Sequence, residues 1–202
     1  MKLIAACLLS TSFAIPLSNG PFVNGTYGAQ AAPQLPLELT AFAVSLGGPR
    51  TSGVATPVDL TIDRWSTQAE TERLVDVLKE QGAEKLLDVL RQMKPVGSIR
   101  VPGSLAYDLH YAHQESLPDG GRRIFLATDR RIGYWEAVNR PRSIDYPFTF
   151  IELRLNGEGK GEGKLALATK INASSDGEFV QLENYAAQPI QLNEVRLRNG
   201  KR

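Results

Sequence analysis

Short alternating segments separated by turn residues fill the second half of the chain, and this pattern constrains the fold most. After residue 96, seven such segments follow one another: GSIRV, LAYDLHYAH, RRIFLAT, PFTFIELRL, KLALATKI, EFVQLEN and IQLNEVRL. Turn signals such as PDGG stand between them. Because successive side chains of a strand point to opposite faces, alternation of apolar and polar residues predicts half-buried strands. We therefore expect an α+β, mainly β protein, built as an antiparallel β-sandwich or barrel.

Two further strands are predicted before this region. Alternating apolar residues mark the first around residues 42–46 and the second at residues 58–62, where Asp and Thr occupy the intervening positions. The segment between residues 47 and 57 has the Gly, Pro, Ser and Thr content of a loop. Both strands fit the same sheet as the later segments.

The spacing of apolar residues changes from strand-like to helical between residues 66 and 94. Thr67 and Glu70 form a capping box, and Gly82 can end a first helix in the left-handed conformation before a second begins. Pro95 then stops the helical pattern. We predict one helical pair, inserted at about 66–94, as the only helical region of a single β-rich domain spanning residues 32–202.

The N-terminus has the pattern of a secretory signal peptide. Lys2 is followed by an apolar stretch, and no charged residue occurs before Glu38. Residues 29–31 supply an A-x-A cleavage site, so we predict a removed leader at residues 1–31 and a periplasmic or extracellular location. The apolar run is shorter than the ~20 residues of a membrane-spanning helix. A lipobox reading, with Cys7 lipidated, is the alternative.

Loss of the leader changes the chemistry available to the chain. Cys7 is the only cysteine, so the mature protein has no disulfide or thiol and must be held together by a packed core. Removal of Lys2 leaves basic and acidic residues equal at 22. Without an excess of basic charge, nucleic acid is not an expected partner. The sequence contains no polybasic or strongly amphipathic stretch that argues for a membrane surface, and no stable membrane insertion is expected after cleavage.

The glycine-rich stretch NGEGKGEGKLALATKI, residues 156–171, resembles a phosphate-binding loop only superficially. A P-loop requires glycine at position 158 and Ser or Thr at 165, where this chain has Glu158 and Leu165. The four glycines continue the apolar face of the preceding strand. We therefore predict a β-hairpin whose tip has no side chains on one face, either for flexibility or to allow close approach.

The two histidines give weak indications of chemistry. His110 and His113 lie on opposite faces of a predicted strand, which does not suit a metal pair. Asp108 shares a face with His110, which is a general-base arrangement in principle, although a cross-strand polar surface pair is the plainer explanation. We predict no catalytic residue, no metal site and no cofactor.

An arginine-rich, aromatic segment at residues 127–148 is the strongest candidate for ligand binding. Arginine binds carboxylate or phosphate through two parallel hydrogen bonds, and an aromatic ring offers a stacking face. The predicted ligand-binding residues are Tyr134, Trp135, Arg140, Arg142 and Asp145. The interpretation that we favour for the segment is a connection between strands, held by arginine–carboxylate pairs and anchored by its aromatic residues in the core; ligand binding by these residues is the competing hypothesis.

Several phrases resemble a family of uncharacterised exported bacterial proteins. They are PVDLTIDRWST, RVPGSLAYDLHYA, GGRRIFLATDR and RPRSIDYPFTFIELRLNGEGKGEGKLALATKI, and the similarity covers most of the chain after about residue 50. The resemblance implies a bacterial origin. It brings no activity, cofactor or catalytic residue.

Three functions are compatible with these observations. We favour a non-catalytic, exported binding module for a small ligand or an envelope component such as another protein. A structural or assembly protein of the cell envelope is the second. The third is an extracytoplasmic hydrolase, for which the candidate residues are Asp108, His110, Glu136 and Asp145.

Overall fold

The computed structural model describes residues 14–16, 35–44, 55–173, 179–185 and 188–198. The strands are β1 (Ala14–Pro16), β2 (Leu37–Val44), β3 (Ala55–Ile62), β4 (Gly97–Arg100), β5 (Tyr107–Leu109), β6 (Tyr111–Ser116), β7 (Arg122–Asp129), β8 (Phe148–Leu155), β9 (Lys160–Ala173), β10 (Phe179–Asn184) and β11 (Ile190–Leu197). The helices are α1 (Gln68–Gln92), α2 (Tyr134–Asn139) and a 3-10 helix (Pro141–Asp145). The predicted class, α+β and mainly β, is confirmed.

All the described strands belong to one antiparallel sheet, in the order β5-β4-β3-β2-β11-β9-β8-β7-β6. The second half of β9 also pairs with β10, and β10 pairs with β1. The two ends of the order, β5 and β6, are consecutive parts of one segment. At their junction the backbone N–H of His110 donates to Ala127 O at 3.1 Å. The sheet therefore curls back toward its own start, but it does not close into a barrel.

The concave side of the curled sheet holds the main hydrophobic core. Alternate residues of the strands point inward, as predicted for residues 58, 60 and 62. Leu39, Leu60, Ile124 and Leu153 are no more than 1% exposed. In β2 the buried residues are Leu37, Leu39 and Ala41, which come before the alternation predicted around residues 42–46. Phe42, which belongs to that predicted alternation, is 44% exposed. Burial of these aliphatic side chains is the main force that bends the sheet around them.

Helix α1 packs across the convex side of the sheet. Its start is fixed by the predicted capping box: the Glu70 N–H donates to Thr67 Oγ1, and the Thr67 N–H donates to the Glu70 carboxylate. Gly82 has φ 80° and ψ −176°, which interrupts the helical geometry and divides α1 into two halves. The predicted helical pair is therefore confirmed. Both halves contribute to a second hydrophobic cluster of Leu74, Leu78, Leu86, Val89, Leu90, Met93, Phe148 and Ile171.

The glycine-rich stretch forms the predicted hairpin between β8 and β9. Gly159 and Gly163 of its glycine face are buried, whereas Gly157 is exposed at the turn. An added Cβ at Gly163 would lie 2.6 Å from both Glu152 O and Leu153 Cδ2. At Gly159, a Cβ would overlap the side chain of Leu197. Of the two predicted reasons for the glycines, close approach is the one that the structure supports.

Two local predictions need correction. The segment LAYDLHYAH is interrupted at His110, and Leu105 is 94% exposed in the loop before β5. The helical pair is also not the only helical region, because α2 and the 3-10 helix follow β7. α2 has six residues, which is fewer than two turns and too short to show a helical period in the sequence.

The predicted leader, residues 1–31, lies outside the described residues except for β1. That short strand pairs with residues 179–181 of β10. Cleavage after residue 31 therefore stays a prediction. In the part of the chain that the structure describes, neither α-helix combines the length and apolar character that a membrane span requires.

Candidate functional site

The arginine-rich segment between β7 and β8 is organised by Arg130. Its guanidinium group donates to Glu136 Oε1 at 2.6 Å, to Ser143 O at 2.8 Å and to Tyr146 O at 3.0 Å. The side chain is only 12% exposed. The hydrogen bond from Arg130 lowers the pKa of Glu136. Arg130 therefore has the role of the predicted arginine–carboxylate staple, with α2 and the 3-10 helix folded over it.

The five residues predicted to bind a ligand lie on the outer surface of this segment. Tyr134 and Trp135 are 77% and 76% exposed, and their rings are in edge-on contact at 6.2 Å. Arg140, Arg142 and Asp145 are also exposed. None of the five lines the apolar cavity or either of the two polar grooves described for this part of the chain. The structure thus brings them to one surface without forming a pocket, and their ligand binding stays a prediction.

A cavity of about 120 Å³ lies instead between α1 and the convex side of the sheet. It is open to solvent on one side. The helix contributes Thr71, Leu74, Val75, Leu78, Leu86 and Leu90 to its wall. The sheet contributes Tyr111, Ala127, Phe148, Phe150, Ile171 and Leu182.

The wall of this cavity is almost entirely hydrocarbon. Thr71 and Tyr111 are its only polar side chains, among the described residues that line it. Burial raises the pKa of Tyr111, and a hydrogen bond with Thr71 partly opposes that effect. The phenol is therefore neutral at physiological pH. A wall of this kind excludes charged groups and suits a hydrocarbon or aromatic ligand.

The kink at Gly82 is what gives the cavity its shape. Residues from both halves of α1 line it, and the halves meet at Gly82. In a straight helix the second half of α1 would cross the sheet in a different direction, and its residues would not meet those of the first half around this cavity. The helical spacing of apolar residues at 66–94 predicts a buried face of α1. It does not predict the cavity, because apolar periodicity does not show whether a helix–sheet interface is filled.

A polar cluster fixes the end of α1 to the sheet beside this cavity. Asp129 accepts hydrogen bonds from Arg91 Nε at 3.0 Å and from the Tyr107 hydroxyl at 2.8 Å. Burial would raise the pKa of Asp129, but these hydrogen bonds outweigh it and lower the pKa. Burial and the hydrogen bond to Asp129 together raise the pKa of Tyr107 to about 12. The guanidinium of Arg131 lies 5.6 Å from the Tyr107 ring.

The residues proposed for a hydrolase do not form a catalytic arrangement with one another. His110 Nδ1 lies 3.1 Å from Met93 O, whereas Asp108 is exposed. Glu136 is paired with Arg130, and Asp145 is exposed on the 3-10 helix. Among the contacts of the described residues, no hydrogen bond joins any two of the four. The same part of the chain contains no group of three or more His, Cys, Asp or Glu residues suited to a metal ion.

A polar groove of about 280 Å³ lies on the outer surface of β2, β3 and β4. It contains Glu38, Asp59, Arg100 and Arg198, with Arg100 and Asp59 paired at 3.3 Å. The two arginines are thus balanced by two carboxylates. An anion would have to compete with this internal pairing, so the groove is a weaker candidate than the apolar cavity.

Comparison with protein-family models, with curated proteins and with solved structures finds no match for this chain.

Proposed function

We propose that this protein is a non-catalytic binding module that takes the apolar part of a small, lipid-like molecule into the cavity between α1 and the sheet. The observation that carries the proposal is the composition of the wall. Ten of its twelve described residues have no polar side-chain atom. The predicted signal peptide and the resemblance to exported bacterial proteins support an envelope or extracellular setting for this binding.

The volume of the cavity limits the ligand. About 120 Å³ is the space of roughly four liquid water molecules, and an apolar cavity of about 150 Å³ accommodates benzene. The cavity therefore suits one small aromatic ring or a short hydrocarbon segment. A longer chain can enter because one side is open, with its polar end remaining in solvent.

Catalysis is not part of the proposal because of what surrounds the bound group. The described lining residues include no carboxylate, imidazole, amine or thiol. The one titratable group, the Tyr111 hydroxyl, is neutral, because the ordinary pKa of tyrosine, 10.0, lies above neutral pH and burial raises the pKa of Tyr111 further. Such a site can hold a ligand by excluding water from it, but it offers no base or nucleophile.

The test is fluorescence titration with N-phenyl-1-naphthylamine, an apolar dye that becomes bright when it leaves water. Its phenyl ring has the size that the cavity accepts, and its naphthyl group can occupy the open side. Val75 lines the cavity, whereas Val77 is on the same helix, also partly buried, and packs against the second hydrophobic cluster without lining the cavity. We expect Val75→Phe to fill the space and weaken dye binding at least tenfold. Val77→Phe should bind the dye like the unmodified protein.

Two readouts distinguish binding in the cavity from binding elsewhere. A ligand that binds only the folded state raises the free energy of unfolding, by ~2.7 kcal/mol at a concentration of 100 times Kd. The thermal midpoint should therefore rise with dye in the unmodified protein and in Val77→Phe, and much less in Val75→Phe. Equal dye affinity in both variants would refute the proposal.

A further inference from the structure

The outer surface of the segment between β7 and β8 has a composition that the cavity does not explain. Four large apolar side chains are exposed there: Tyr134 at 77%, Trp135 at 76%, Val138 at 54% and Ile144 at 47%. We call these four residues, together with Arg140 and Arg142, the aromatic–arginine surface. Exposed apolar patches of several hundred Å² commonly mark protein or membrane interaction sites.

This surface is braced from below. The three hydrogen bonds of Arg130 tie α2 to the 3-10 helix, and Ser143 between them is fully buried. The backbone N–H of Arg140 also donates to Glu136 O at 2.7 Å, and that of Ser143 donates to Arg140 O at 2.9 Å. The exposed side chains therefore project from a fixed support, which lowers the entropy lost when they bind.

The exposed charges of the segment are mainly positive. Glu136 is neutralised by Arg130, and Asp129 is neutralised by Arg91. Arg131, Arg140 and Arg142 then face solvent with one exposed carboxylate of the segment, Asp145, and the exposed Glu183 of β10 contacts the segment by accepting a hydrogen bond from the Tyr146 hydroxyl. Three arginines therefore stand against two carboxylates. Equal numbers of acidic and basic residues along the sequence hide this excess. It becomes visible only when the paired carboxylates are known.

We propose that the aromatic–arginine surface docks on a lipid bilayer that contains anionic phospholipid. Trp and Tyr side chains favour the headgroup level of a bilayer, where the ring is apolar and one edge is polar. Val138 and Ile144 would enter the upper acyl region, and Arg140 and Arg142 would bind lipid phosphates with their planar forks. This inference concerns a surface separate from the cavity and does not rest on the proposed function.

A bilayer fits this surface better than a protein partner does. A stable protein–protein interface buries ~800 Å² on each partner. Four exposed side chains of roughly 100–200 Å² each supply about 400–800 Å², which is at most equal to that area. Docking on a bilayer has no such minimum, because a few inserted side chains and two or three phosphate contacts suffice for reversible binding.

Trp135 itself reports on the docking. The chain has two tryptophans, and the other, Trp65, packs against the main core. With phosphatidylcholine vesicles that contain phosphatidylglycerol, we expect the emission of Trp135 to shift to shorter wavelength and to be quenched by brominated lipid. The shift should be much smaller with phosphatidylcholine alone. Trp135→Phe should abolish the emission change and still sediment with the vesicles.

Substitutions separate the apolar part of the surface from the charged part. The double variant Tyr134→Ala, Trp135→Ala should partition into vesicles at least about tenfold more weakly, because each substitution removes a large side chain that the bilayer would bury. Arg140→Ala and Arg142→Ala should each lose about fivefold on anionic vesicles only. The control is Arg73→Ala, at an exposed arginine on α1. All of these variants should keep the thermal midpoint and the cavity's dye binding.

Three results would overturn the proposal. One is unchanged Trp135 emission on addition of anionic vesicles, which is also the result expected if the surface binds a protein segment. Another is partition of the double aromatic variant equal to that of the unmodified protein. The third is an emission shift produced by inorganic phosphate without vesicles, which would identify a simple phosphate site.

Discussion

The kink in α1 offers the most direct test of how the cavity is built. Gly82 has φ 80° and ψ −176°, a region of backbone space that is essentially restricted to glycine. An added Cβ at this position would meet no atom within 4 Å. Gly82→Ala therefore changes only the backbone preference. Holding a non-glycine residue in this region lowers the free energy of unfolding by ~1–3 kcal/mol. Alanine also reduces the conformational entropy of the unfolded chain, which raises the free energy of unfolding by ~0.4–1 kcal/mol.

We expect Gly82→Ala to lower the free energy of unfolding by about 1–2 kcal/mol, which follows from these two opposing effects. In urea denaturation followed by circular dichroism, the midpoint should fall by about half to one molar at a typical m-value. Gln81→Ala, at an exposed neighbouring position, is the control and should stay within about 0.5 kcal/mol. Unchanged or higher stability of Gly82→Ala, with more helical circular dichroism, would mean that α1 straightens easily and would refute the reasoning.

Two further predictions concern stability. The hydrogen bond from Arg64 lowers the pKa of Glu70 to about 2. The carboxylate therefore stabilises the fold above its unfolded pKa of 4.5, and this contribution is lost as the pH falls from there toward 2. Glu70→Gln should lower the free energy of unfolding by about 1–2 kcal/mol at neutral pH. The effect is limited because the Arg64–Glu70 pair is 28–30% exposed and partly screened, and it should vanish as the pH approaches 2. A difference between the two proteins that stays constant in urea denaturation across acid pH would contradict this. Gly163→Ala should lower the free energy of unfolding by about 2 kcal/mol or more through overpacking. Gly157 is exposed in the same hairpin, so Gly157→Ala should leave the thermal midpoint nearly unchanged. Equal midpoints for the two variants would show that the glycine face is not tightly packed.

Local signals made much of the fold predictable from the sequence. Strand alternation at residues 58–62, the capping box of Thr67 with Glu70, and the break at Gly82 each depend on residues within a few positions of one another. The glycine face of the β8–β9 hairpin could be predicted for the same reason, since parity along one strand fixes it. What parity does not show is how closely the neighbouring backbone approaches.

The candidate sites depend on distances that the sequence does not contain. Arg130, Arg140 and Arg142 look equivalent along the chain, yet only Arg130 turns under the segment. The cluster around Asp129 joins residues 22 and 38 positions apart. The cavity depends on the separation between a kinked helix and a curved sheet. A sequence pattern predicts each surface but not the space between them.

The position of β11 in the sheet affects when the protein can finish folding. β11 lies between β2 and β9, so the continuous ladder from β2–β5, which are made earlier, to β9 and β8 runs through residues 190–197. A nascent chain that stops short of these residues has unpaired edges on both β2 and the first half of β9. At ~5–20 residues per second of synthesis, the sheet stays incomplete for most of the time the chain spends on the ribosome. If export begins before residues 190–197 are made, the chain enters the translocation channel with this sheet still incomplete.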